Sequence, residues 1–522
     1  MSGPGSVIFG RLPRWVVHPM VLAFAYVLNT ALANEVEPAG YVRALVVATL
    51  LAGLLTVAAW MVVRNRWDGA LVVSGLILVA VSPVSLAWVW TSMRTAFGAL
   101  LGTALTAVLL AMALGVVGVR LLRVRRQGHP LPRPAPEILN VFSFALLVAV
   151  VGSNVGSIVL PASAPDPPPA GWHADGADQP DIVVLLLDGY PRTDVLERRF
   201  GADDTAFLDA LRQRGFDVAS TNHSNYTLTE LTFASMFQMR YVDEIPSLEP
   251  FIGTGRQENA ALRDAAESGQ AFSILQAAGY EVSWAPGGWE HVALRRAADR
   301  FLDSGELTDF ERSVIHRTWF LYLLDAVWPT VFTDAQRERI VHAFDTLDSF
   351  ATEQADQSRF LFLHVPAPHL PPVVNADGTP TALQATRFEA SGRQGYGMTD
   401  SEFRDAWQAE LDYVAGRVIH GIDLLLDSER GREAVIIVMS DHGYGFELQQ
   451  GDVQARLGNL FATRTPGAPD LFDDPPTPVN LFRILFNSYL GTQFPLLSDR
   501  YFLQGSRQLD LTEIQDPDEV PK

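Results

Sequence analysis

Five long apolar runs crowd the first 160 residues, and a soluble domain has no core large enough to absorb them all. The runs are Val16–Ala33, Val42–Val63, Ala70–Trp90, Ala96–Val119 and Ile138–Leu160. Crossing about 30 Å of hydrocarbon takes roughly 20 apolar residues in a helix, so the pattern predicts about five transmembrane spans. The first run carries Pro19 and Asn29. It lacks a small-residue cleavage site, and more spans follow it, so it reads as an anchor rather than a removed leader.

Arginine placement orients these spans. Arg11 and Arg14 precede the first, Arg64 and Arg66 separate the second from the third, and Arg120, Arg123, Arg125, Arg126 and Arg133 lie between the fourth and fifth. The alternate loops hold only Arg43 and Arg94. Basic loops stay cytoplasmic. The N-terminus is therefore expected inside, and five crossings carry everything after Leu160 outside. Residues 1–160 hold eleven arginines against four acids, a net of +7, while the rest holds 28 basic and 55 acidic residues, a net of −27.

Several function classes drop out. So acidic an outer part is a poor match for nucleic acid, whose binding needs cationic side chains on phosphates. The chain has no cysteine, which removes disulfides, thiolate metal sites and a cysteine nucleophile. The spans contain no clear buried charge of the kind that marks an ion or proton path, which favours an anchor over a transporter.

Pro161–Pro180 is rich in Pro, Ala and Asp and is expected to be an extended spacer. Beyond it a different pattern begins. Short, continuously apolar runs at Ile182–Leu187, Glu281–Trp284, Phe360–Val365, Val435–Met439 and Leu460–Thr463 suit buried strands. Helical patterns at Asp204–Arg214, Ala271–Ala278, Asp334–Glu353 and Ser401–Asp427 lie between them. The alternation predicts an α/β domain over 181–522, with a mostly parallel sheet between helices. In such sheets ligands bind beyond the C-terminal strand ends.

Those ends carry the polar residues. The first strand stops at Asp188, and the fourth at Asp441-His442-Gly443, a carboxylate beside an imidazole that suits Zn²⁺ or Mn²⁺. Gly443 is expected to permit a sharp turn. The third strand runs through His364 into Pro366-Ala367-Pro368-His369, where prolines limit the backbone. His369 is placed to bind an anionic group or to act as proton donor to a leaving group, and His364 to support the strand. A nucleophile is expected where His223–Phe237 turns from polar to helical, because a hydroxyl at a helix start gains from the dipole and free amides that also attract phosphate. A plain helix cap is the competing explanation. Local physics leaves Thr227, Thr229, Thr232 and Ser235 equally open.

Strand-Asp, hydroxyl-led helix, His-rich loop and Asp-His-Gly, in that order, resemble the alkaline phosphatase/sulfatase superfamily. The likeness is to its membrane-anchored branch of lipoteichoic acid synthases and phosphoethanolamine transferases. Thr229-Glu230-Leu231-Thr232-Phe233-Ala234-Ser235-Met236-Phe237 is similar to that branch's T-x-L-S-x-x-x-M-F. Leu363–Pro371 keeps the spacing of its L-H-x-x-x-S-H-G-P but lacks the Ser and Gly. The resemblance implies Thr229 as nucleophile, one divalent metal (Zn or Mn) held by Asp188, Thr229, Asp441 and His442, and His369 on the transferred group. Departures are informative. The first-strand acid is Asp rather than Glu, and no C/S-x-P-x-R motif or paired first-strand Asp occurs, which argues against a working sulfatase. No His follows His442, which favours one metal over two. Trp289 and His291 are candidates for the pocket wall.

The expectation is thus a metal-dependent phosphotransferase or phosphodiesterase at the outer face of the plasma membrane, acting on membrane lipids or a lipid-linked envelope phosphoester. A sulfatase-type hydrolase and a non-catalytic surface protein are the alternatives.

Overall fold

The computed structural model describes residues 16–81, 134–154, 162–174, 179–255, 257–318, 327–383, 398–444, 453–472 and 475–518, with Leu321 and Leu324. The run Ala96–Val119, the latter half of Ala70–Trp90, the end of Ile138–Leu160 and the arginines at 11, 14, 94, 120, 123, 125, 126 and 133 lie outside the described residues. The chain divides into two compact units: Met1–Leu160 with Phe310–Val327, and Pro161–Asp309 with Trp328–Lys522.

The first unit is helical. Among its described residues are α1 (His18–Ala33), α2 (Pro38–Val63), α3 (Arg66–Ala80) and α4 (Pro134–Ser153), with most of a further helix at Asp309–His316. Among the described residues only α2 is both long and apolar enough to cross a membrane alone, while His18–Ala33 and Glu137–Ser153 are apolar but shorter. The side chains of α2 point outward with little protein cover: Val46, Leu50, Leu54 and Met61 are exposed. Polar residues tie α1 to its neighbours, with His18 Nδ1 2.6 Å from Ser74 Oγ and the His18 amide donating to Asn140 Oδ1.

The second unit is built on a seven-stranded sheet. In chain order its strands are β1 (Ile182–Leu187), β2 (Asp217–Val218), β3 (Glu281–Ala285), β4 (Arg300–Phe301), β5 (Arg359–Val365), β6 (Val435–Met439) and β7 (Phe461–Arg464). Spatially they run β2-β7-β6-β1-β5-β3-β4. Pairings β6–β1, β1–β5, β5–β3 and β3–β4 are parallel, whereas β7 pairs antiparallel with β6 and with β2. The α/β class and the five strands therefore appear where the apolar runs place them, and the last is an antiparallel neighbour. A separate hairpin, β8 (Tyr501–Gln504) with β9 (Leu511–Ile514), follows near the C-terminus.

Side chains alternate across a strand, so β1 feeds two cores. Val183, Leu185 and Leu187 pack under α5 (Val331–Thr352) and α6 (Asp400–Asp427), through Phe344, Leu347, Trp407 and Val414. Ile182, Val184 and Leu186 face the other way, toward Phe233, Phe237, Trp284 and Phe482. Trp284 stacks on Phe362 at 4.5 Å between ring centroids. Burying each such aliphatic chain contributes about 1.5–3 kcal/mol, so the three central strands are the rigid part of the unit. At their N-terminal end a buried Asp181 accepts from Arg359 and Arg430. Burial alone would raise its carboxyl, but the two guanidiniums hold it low.

Candidate functional site

Because β6, β1 and β5 are adjacent, parallel and in register (Leu186 lies between His364 and Met439), their C-terminal ends stop together. Asp188 follows β1, its amide donating to Val365 O at 3.0 Å. Gly189 then turns with φ +67, a conformation that glycine adopts without strain. Its N–H donates to Asp441 Oδ1 at 3.1 Å, tying the end of β1 to the end of β6. Gly443 lies in a bend, as expected, and is needed on a second ground: a Cβ there would lie 2.3 Å from Ala455 O and 2.5 Å from Gly458 O. Close backbone approach is what requires glycine.

One ligand atom each from Asp188, Asp441 and His442 fall within 4.8 Å of one another, and all three residues are buried. His442 Nδ1 is 2.7 Å from Gly443 O. A carbonyl only accepts, so Nδ1 carries the hydrogen and the neutral ring keeps its lone pair on Nε2, 3.4 Å from Asp441 Oδ2. Asp188 Oδ1 is buried with no hydrogen-bond partner among the described residues. An orphaned carboxylate oxygen, a second carboxylate and an imidazole nitrogen form a donor set that fits a divalent cation of the Zn²⁺ or Mn²⁺ type.

Thr229 completes the cluster. It is the first residue of α7, Thr229–Gln238. The N-cap is Leu228, with no side-chain cap, so the first-turn amides are left to other acceptors. The Thr229 hydroxyl donates to Asp441 Oδ2 at 2.5 Å, and that of Thr232, one turn on, to Asp441 O at 3.1 Å. Ser235 donates to Arg240 O, away from the cluster. Thr229, Thr232 and Ser235, which local sequence left equivalent, are thus separated, and the cap explanation does not hold for Thr229. The loop before α7 is fastened to the strand ends by a bridge between His223 and Gly458 and by the Ser224 amide on Leu457 O.

Neighbouring imidazoles set the electrostatics. Burial alone would raise the Asp188 carboxyl, but His369, His364 and His442 outweigh it and hold it at about 2. Burial lowers His369, with Asp188 opposing. His369 Nδ1 lies 2.9 Å from Leu370 O, so that nitrogen carries the hydrogen. His364 is fully buried and its Nε2 donates to Asp188 Oδ2 at 2.9 Å, the supporting role expected of it. Trp289 stacks on His364 and meets His369 edge-on, at centroid distances of 5.4 and 5.1 Å. His291 sits 3.8 Å from Glu230, the residue after Thr229.

Three contributors carry no sequence signal. Trp407 Nε1 donates to Pro368 O at 2.9 Å, and Glu410, one turn further along α6, accepts the Val373 and Val374 amides. Both come from one face of α6 and hold the His369 loop at points before and after His369 in the chain. Arg456, half-buried, donates to Thr227 O and adds a positive charge that faces Asp441. None of the three belongs to a spacing pattern that would mark it in advance.

The sequence profile of the Sulfatase family matches residues 180–466. The chain belongs to the Sulfatase family. Comparison with functionally curated proteins gives no match. Among solved structures, the C-terminal periplasmic domain of EcEptC from Escherichia coli, in complex with Zn, is similar at 12% identity. That match spans 68% of this chain and 97% of that one, with a TM-score of 0.41. A 2-O GAG sulfatase matches at 13% identity over 61% and 72%, TM-score 0.41. The soluble domain of lipooligosaccharide phosphoethanolamine transferase A from Neisseria meningitidis matches at 15% over 58% and 79%, TM-score 0.32.

Proposed function

We propose that the chain is a membrane-anchored, metal-dependent phosphotransferase or phosphodiesterase with Thr229 as nucleophile. Its substrate is a lipid-linked or envelope phosphoester at the outer face of the plasma membrane. The observation that carries this reading is the Thr229 hydroxyl, held at an uncapped helix start and 2.5 Å from a carboxylate of the Asp188, Asp441, His442 cluster.

Asp188, Asp441 and His442 would hold the cation, beside the Thr229 hydroxyl. When bound, it supplies positive charge that favours loss of the threonine proton and offsets charge on nonbridging oxygens. The chain's own groups do the rest. Asp441 Oδ2 receives the Thr229 proton. The first-turn amides of α7 face the incoming phosphate. As the Thr229 oxygen bonds to phosphorus, the bond to the departing alcohol breaks and that alcohol takes up the released proton. In the second half, water or an acceptor alcohol gives its proton to Nε2 of His369 and its oxygen bonds to phosphorus as the phosphorus–Thr229 bond breaks, and the proton taken up by His369 is returned to the Thr229 oxygen. Trp289 packs beside the imidazoles and limits water there.

Several features support the membrane placement. Asn34, just after α1, accepts from Arg317, and Tyr26 within α1 donates to Val314 O. By the arginine distribution the loop between α1 and α2 and the sequence after Leu160 both fall on the outer side. Anchoring raises the local concentration of a lipid substrate.

The test is trapping. The full-length protein is incubated with membrane lipids and searched by mass spectrometry for an adduct on Thr229, whose mass identifies the transferred group. Parallel turnover of an aryl phosphodiester and an aryl sulfate separates this reading from sulfatase chemistry. Turnover of the sulfate alone, with no adduct on Thr229, would overturn it.

A further inference from the structure

Arg456 sits on the short helical turn Val453–Leu457, whose other odd positions, Val453, Ala455 and Leu457, are buried. Two backbone hydrogen bonds fix the turn to the site. The Gly443 amide donates to Arg456 O at 2.9 Å, and the Ser224 amide to Leu457 O at 2.8 Å. The backbone of Arg456 is thus held at the residue that follows His442. Its side chain reaches to the other half of the site, where Nη2 donates to Thr227 O at 3.2 Å, two residues before Thr229. A guanidinium has five N–H donors and stays protonated at any ordinary pH.

A charge taken out of water is tolerated when it is paired. Other arginines buried in this unit follow that rule. Arg359 pairs with Asp181, and Arg192 with Asp194 and Asp518. Arg483 spends Nε and Nη2 on Met239 O and Nη1 on Pro495 O. Arg456 makes its one hydrogen bond to Thr227 O and has no ion-pair partner among the described residues. Burial lowers it from its ordinary value, and the charge that opposes this is Asp441. Asp441 belongs to the cluster suited to a divalent cation, and a cation held there would offset both of its carboxylates. Arg456 is then a positive charge left over beside the Thr229 hydroxyl, which suits a group carrying one negative charge.

We propose that Arg456 binds the anion on which Thr229 acts, its remaining N–H groups taking nonbridging oxygen of a phosphoryl group. The planar fork of a guanidinium matches such oxygens. The backbone contacts at Gly443 and Ser224 hold the donor in place before the substrate arrives, so little reorganisation accompanies the build-up of charge. The inference rests on the chemistry proposed at Thr229.

Arg456→Gln is the variant that separates binding from support, because a glutamine amide can still donate to Thr227 O but carries no charge. Inorganic phosphate and sulfate are titrated calorimetrically into the full-length wild-type and variant proteins, and melting temperatures are recorded without either anion. Phosphate affinity should fall about 30-fold or more in the variant, and kcat/KM on an aryl phosphodiester by about 10²–10³-fold. The melting temperature should hold or rise, since an unpaired charge has left the interior. Arg456→Lys should recover part of the phosphate affinity. Equal phosphate affinity in wild type and Arg456→Gln overturns the assignment alone. A lower melting temperature in Arg456→Gln also overturns it, by making the arginine a strut for the loop before α7. Failure of the wild type to bind either anion overturns it together with the chemistry at Thr229. Binding of sulfate alone, lost in Arg456→Gln, supports Arg456 as the anion-binding residue and overturns the phosphoester reading.

Discussion

The Thr229 hydroxyl lies 2.5 Å from Asp441 Oδ2, a contact between residues 212 positions apart. It joins the start of α7 to the end of β6 and gives one hydroxyl, out of several on the same segment, a proton acceptor inside the candidate metal cluster.

Thr229→Ala should therefore abolish turnover, by more than about 10³-fold, because no neighbouring hydroxyl shares the contact. Thr229→Ser should keep part of it. Steady-state rates on a phosphodiester, with circular dichroism to confirm folding, check this. Wild-type rates in the alanine variant would remove Thr229 from the chemistry.

Binding of a cation to the folded state alone stabilises that state. At a free concentration one hundred times the Kd the gain is about 2.7 kcal/mol. Zn²⁺ or Mn²⁺ should raise the melting temperature of chelator-treated protein, and His442→Ala or Asp188→Asn should remove the shift. An identical shift in all three proteins would place the ion elsewhere.

His364 donates to Asp188 from a fully buried position. Replacing it with Phe keeps the packing on Trp289 and Phe233 but takes away the donor. Metal affinity should fall about 10–100-fold, as for other residues that orient a ligand, while the melting temperature without metal changes little. Titration calorimetry distinguishes this from simple unfolding.

Glu410 responds to pH. Burial pushes its carboxyl up to about 8, so the folded state holds a proton that the unfolded state has already lost above its ordinary value. The stability this contributes is complete below that value and declines as pH rises through about 8. The slope is at most about 1.4 kcal/mol per pH unit. Glu410→Gln should flatten this decline in urea unfolding measured from pH 5 to 9. An unchanged slope would show that another group titrates.

The sequence by itself determined the apolar runs, the α/β class, the central strands and the order of the polar strand ends. All of these are local: strands buried on both faces must be continuously apolar, and a carboxylate directly after one can only stand at the sheet's edge. Thus Asp188, Asp441 and His442 were legible before any fold was known. Only the tertiary structure decided that β6, β1 and β5 are neighbours, and that Thr229 rather than Ser235 turns its oxygen to Asp441. It also placed Trp407 and Glu410 across the His369 loop, and sent Phe310–Val327 to the N-terminal helices. Each of these depends on how distant segments dock and on the rotation of a helix about its axis. Neither leaves a mark in the spacing of residues along the chain.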